Sequence, residues 1–75
     1  MRHPVHSTNT LGALIRQTRK HQGLTQKDIA GLTGLGLRFI GEVENGKNTV
    51  QLGKVLVLLS ALGIRLDASA DWMHG

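Results

Sequence analysis

Seventy-five residues make one small domain. With no cysteine the chain has neither a disulfide nor a thiolate metal site. The formal net charge of +4 is uneven. Residues 1–54 carry eight basic against three acidic side chains, a net of +5, whereas residues 55–75 come to −1. A basic front and an apolar, near-neutral tail predict two surfaces with different partners, nucleic acid being the natural one for the front.

Residues 1–8 read as a flexible arm, since Pro4 and its polar neighbours offer nothing to bury. His3, His6 and His21 raise a metal reading, but no third ligand or carboxylate clusters with His3 and His6, so no metal is expected. No apolar leader segment opens the chain, and no secretory signal is expected. The longest apolar run, Val55 to Leu66, is too short and too interrupted to span a bilayer. A cytoplasmic, nucleoid-associated location follows.

A first helix is predicted over Thr10–Gln22, capped by Asn9 or Thr8 and ended by Gly23. Leu11, Leu14, Ile15 and Thr18 give it one buried stripe. A second helix, Gln26–Thr33, starts behind a Thr25 cap with Asp28 reaching back to it. Ile29, Ala30 and Leu32 are its apolar contacts, and Gly34 supports the turn that follows. A third helix spans Leu37–Asn45 with Ile40 and Val43 inward and Gly46 at its end; Gly41 is a mid-helix cost of about 1 kcal/mol against alanine. A fourth runs from Val50 to Leu62 behind Thr49, with Leu52, Val55, Leu56, Leu59 and Leu62 as core stripe. Val57 and Leu58 are then surplus apolar surface and read as a dimer face. The alternation Ile64-Arg65-Leu66-Asp67-Ala68 predicts a strand. A lone strand leaves backbone groups unpaired, so its partner should be the same strand of a second copy, through Ile64 and Leu66. The boundaries are therefore an arm at 1–8, a helical domain at 9–63, a dimerising strand at 64–69 and a flexible tail at 70–75.

A helix N-terminus at Gln26 fits a phosphate, with Lys27 beside it. Leu37, Arg38, Gly41 and Glu42 lie on the outer face of the third helix. Arg38 can grip guanine O6 and N7 or bind phosphate alone; Leu37 can touch a thymine methyl. Glu42 either accepts from cytosine or holds Arg38, four residues back. Asn45, Lys47 and Asn48 are placed to meet the phosphate backbone, or serve only as turn residues. Trp72, on the tail, is either a partner anchor or a terminal residue without a role. No catalytic constellation is visible, and neither enzyme activity nor a cofactor is expected.

The order L-T-Q-x-x-I-A-x-x-x-G, followed by a helix ending E-x-G-K, resembles the Xre/Cro/C1 helix-turn-helix family over about Leu11 to Leu62. Gly31, Gly36 and Gly41 stand where that family usually carries larger or hydroxyl residues. From Arg38 to Ala68 the chain is similar to HipB-type antitoxins. The resemblance implies an all-α, lambda-repressor-like domain of four or five helices with a short C-terminal dimerising strand. It implies a phosphate contact for Gln26 and a structural ion pair between Arg19 and Glu44. It also implies a homodimeric repressor on a palindromic operator that binds a HipA-like kinase toxin, the partner that Trp72 would anchor if it has that role. A stand-alone phage-like repressor, or an interaction module without DNA binding, are the alternatives.

Overall fold

The computed structural model describes residues 2–74. Among them it forms four α-helices, α1 (Thr8–His21), α2 (Gln26–Thr33), α3 (Leu37–Glu44) and α4 (Leu52–Ala61), and one 3₁₀ turn at Asp71–His74. Among the described residues no helix is long and apolar enough to cross a membrane.

Each helix end has a local cause. α1 starts two residues before the sequence expectation because Ser7, not Thr8 or Asn9, is the cap. The Thr10 amide donates to Ser7 Oγ at 3.0 Å and the Ser7 amide donates to Thr10 Oγ1 at 3.1 Å. Thr10 thereby fills the reciprocal role that a Glu or Gln more often plays. α2 begins as expected: the Asp28 amide donates to Thr25 Oγ1 and the Thr25 amide to Asp28 Oδ2. These bonds to Thr25 hold the Asp28 carboxyl below its ordinary range. α3 and α4 start at Gly36 and Gln51 without side-chain caps, so Thr49 does not serve as one.

Three of the helices end alike. After α1, α3 and α4 the chain turns at Gly23, Gly46 and Gly63, all with φ between 73° and 81°. In each case the next residue's amide reaches back to the helix: Leu24 to Arg19, Lys47 to Glu42 and Ile64 to Leu59. This doubled closure needs a left-handed residue, which glycine supplies without cost.

The core consists of Ile15, Ile29, Ile40, Val43, Val55, Leu58, Leu59 and Leu62. α3 packs against α1 and α2, and α2 against α4. α1 and α3 approach so closely at Gly12 that an added methyl would run into the Val43 carbonyl and lie 2.8 Å from that of Glu44.

Further expectations fail in the C-terminal third. α4 is rotated from the predicted stripe: Leu58 is 0% exposed and belongs to the core, while Leu52 and Leu56 face outward. Leu58 is therefore not a dimer-face residue. A helix apolar nearly all round has no period to fix its orientation, so packing against α2 decides it. The C-terminal strand is also absent: residues 64–70 carry no regular structure. Ile64 spends its amide on the Leu59 carbonyl at 2.9 Å and packs against the core, closing α4 instead of opening a strand. The tail expected to be flexible holds the 3₁₀ turn, in which the Met73 amide donates to Ala70 O.

Candidate nucleic-acid interface

A buried ion pair underlies the candidate site. Arg19 on α1 donates to both carboxylate oxygens of Glu44, Nε to Oε2 at 2.7 Å and Nη2 to Oε1 at 2.9 Å. Its remaining Nη1 donates to Leu24 O at 2.8 Å, so the guanidinium also fixes the start of the turn into α2. Burial pushes the Glu44 carboxyl up, but the bonds from Arg19 and Gln26 outweigh it and the net direction is down. The Arg19 guanidinium is held charged by the same carboxylate.

Gln26, the first residue of α2, donates from Nε2 to Glu44 Oε1 at 3.1 Å. This tie was not foreseen from the sequence. It links the start of α2 to the end of α3, and Gly41 lies beside it: a methyl there would meet only Gln26 Oε1, at 3.9 Å. Lys27 is exposed on the next position.

α3 presents its first turn to solvent. Leu37 is exposed and the Arg38 side chain is 91% exposed. Glu42 follows one turn later, with Arg38 Nε 3.6 Å and Lys47 Nζ 2.8 Å from its Oε2. The loop after α3 is tethered to α1: the Thr8 hydroxyl lies 2.8 Å from Gly46 O and 2.7 Å from Asn48 Oδ1. One hydroxyl proton cannot fully serve two acceptors, and a turned Asn48 amide would instead donate to Thr8. Asn45 and Lys47 stand exposed on either side of Gly46. The predicted contact residues Gln26, Lys27, Leu37, Arg38, Gly41, Glu42, Asn45, Lys47 and Asn48 thus come from the start of α2, the outer side of α3 and the loop behind it. The Thr8 tether carried no signal in the sequence, where Thr8 reads as a cap.

A second surface lies between α2 and α4. Leu32, Thr33, Leu56, Val57, Ser60 and Ala61 line a shallow groove of about 510 Å³. Leu32 is 72% exposed, Val57 48% and Leu56 46%. Of the residues expected to pair two copies, Val57 and Leu66 are exposed, Ile64 is half-buried and Leu58 is enclosed. Trp72 and Met73 are exposed on the 3₁₀ turn. Among the described residues no group of three or more His, Asp or Glu side chains could hold a metal.

A capped helix, a glycine turn and a second helix whose start faces solvent, braced by a third, define a helix-turn-helix domain. The sequence matches the helix-turn-helix family HTH_3 over residues 15–68. It is 52% identical over 60 residues to the uncharacterized HTH-type transcriptional regulator y4mF of Sinorhizobium fredii (strain NBRC 101917 / NGR234), covering 80% of this chain and 79% of that protein. The fold is similar to that of the restriction-modification controller protein C.AhdI from Aeromonas hydrophila (TM-score 0.68, 36% identity, 77% of this chain and 88% of the other). It is also similar to a chain of the HipA-HipB-O2-O3 complex (TM-score 0.84, 20% identity, 93% and 99%) and of the HipB-O4 20mer complex (TM-score 0.83, 20% identity, 93% and 99%). The chain belongs to the Xre-like helix-turn-helix family, that of the HTH-type transcriptional regulators.

Proposed function

We propose that this protein is a sequence-specific, DNA-binding transcriptional repressor that acts as a homodimer on a palindromic operator. The observation that carries the reading is the outward start of α3, where Leu37 is 51% exposed and the Arg38 side chain 91%. The major groove admits one helix, and an arginine near its start is the side chain best matched to guanine. Gln26 and Lys27 on one side, and Asn45, Lys47 and Asn48 on the other, then take phosphates and set the register. Two copies joined through the apolar α2–α4 face would place their α3 helices about one DNA turn apart, ~34 Å. Occupancy of the operator excludes polymerase.

The antitoxin part of the reading is supported by the likeness to HipB in a complex with HipA. It predicts that a kinase toxin co-purifies from the source organism at fixed stoichiometry; a protein purified repeatedly without one is a stand-alone repressor.

Selection of duplexes from a randomised pool tests the main claim. An enriched, palindromic sequence bound less tightly as salt rises is expected, because phosphate contacts release counterions. No enrichment over successive rounds would leave a protein-interaction module.

A further inference from the structure

Of the three acidic side chains in residues 1–54, the fold consumes two. Asp28 closes the cap of α2 and Glu44 neutralises Arg19. Glu42 is left on the outer side of α3, among the residues proposed to approach DNA. A carboxylate is the wrong charge for a face that meets a polyanion, so its contacts matter. Both Lys47 Nζ (2.8 Å) and Arg38 Nε (3.6 Å) lie against one oxygen, Glu42 Oε2.

The backbone makes the first contact follow from the helix end. Gly46 is left-handed and the Lys47 amide donates to Glu42 O at 3.0 Å. That closure brings Lys47, the second residue past the Asn45 cap, back over Glu42, the third residue from the helix end, a place where apolar pairs usually meet. Here the pair is ionic. The second contact follows from the four-residue spacing on α3. One carboxylate thus occupies two cations of the proposed interface. Lys47's hydrogen bond, despite some desolvation, keeps the carboxyl below its ordinary range, so the negative charge is present throughout neutral pH.

We propose that Glu42 is a specificity-determining residue that suppresses binding to DNA of arbitrary sequence. Such binding is almost wholly phosphate electrostatics. In the free protein Glu42 holds Lys47 and Arg38 and repels the backbone, which weakens that component. At the operator Arg38 leaves an exposed, long contact that costs little to break and takes a base edge in exchange. Lys47 has three N–H donors, so it keeps Glu42 compensated with one while another takes a phosphate. The penalty therefore falls mainly on the wrong sequences. This inference rests on the DNA-binding reading above.

The full-length chain and its Glu42→Gln variant are titrated by fluorescence anisotropy against two labelled duplexes over a salt series. One duplex is that selected by the wild-type protein and the other is of random sequence. The variant should bind the random duplex about three- to tenfold more tightly, with a salt slope steeper by about one. Its affinity for the selected duplex should change less, so discrimination narrows. In a Lys47→Gln background the gain from Glu42→Gln should shrink, because a withheld cation is already gone. Unchanged or weaker binding of the random duplex overturns the inference. A loss confined to the selected duplex also overturns it and makes Glu42 a reader of cytosine. If the wild-type protein selects no duplex, the DNA-binding reading itself fails, and the inference falls with it.

Discussion

Gly41 shows how a single residue separates folding from binding. A methyl added there meets only Gln26 Oε1 at 3.9 Å, and one added at Gly31 meets nothing within 4 Å. Both substitutions to alanine should therefore raise stability in urea melts, by up to about 1 kcal/mol each. Only Gly41→Ala should also weaken DNA binding, since its methyl would stand on the side of α3 offered to the groove; equal affinities for the two variants would remove Gly41 from the interface. Glu44 behaves in the opposite sense. Its folded carboxyl is shifted down, so the unfolded chain binds the proton more readily. The stability from its pair with Arg19 is intact above the ordinary carboxylate value of ~4.3 and is lost as pH falls through the lower folded value. Glu44→Gln strands the Arg19 charge and should cost about 3 kcal/mol at neutral pH, while flattening the acid limb of the stability profile. A profile that keeps the wild-type slope would place the acid sensitivity elsewhere. At this scale the Arg19–Glu44 pair came from family resemblance alone, and the Gln26–Glu44 bond was not legible, because residues 18 positions apart carry no spacing signal.

Among the elements, the bounds of α2 were legible, since Thr25, Asp28 and Gly34 each act locally, but its inner face was not: Leu32, expected to pack, is 72% exposed. α1 was misread at its start because a threonine, Thr10, completes the cap of Ser7. The helix ends before Gly23, Gly46 and Gly63 were legible; the third was not followed through to its consequence for Ile64, whose amide bonds back to α4. Alternation over five residues is a weak guide when the first of them is tied to a helix. α4 was legible as a helix but not in orientation, because Leu52 through Leu62 offers apolar residues on every side. The observed rotation has a measurable consequence. Leu58→Ala should cost about 2–5 kcal/mol in a denaturant melt, as for an enclosed leucine. Leu56→Ser, on the exposed side, should leave a monomer's stability nearly unchanged and weaken self-association in sedimentation equilibrium. A reversed order would mean that the other face of α4 is the packed one.

For the whole molecule, two surfaces stand apart, and the apolar one draws Leu32 and Thr33 from the basic part of the sequence. One joins the start of α2, the outer side of α3 and the loop fastened to Thr8. The other is the apolar α2–α4 face with Leu32, Leu56 and Val57. On the proposed reading the first surface meets DNA and the second meets another copy, with no strand required. Removing that apolar face should lower operator affinity through loss of the second half-site. The central claim is narrower: the first turn of α3 reads bases. It is tested most directly by titrating wild-type protein and Arg38→Ala against the selected duplex and against one of random sequence at a single salt concentration. Arg38→Ala should lose roughly tenfold or more on the selected duplex and much less on the random one, as expected for one bidentate guanine contact. Equal losses on both would make Arg38 a phosphate contact and would contradict the account.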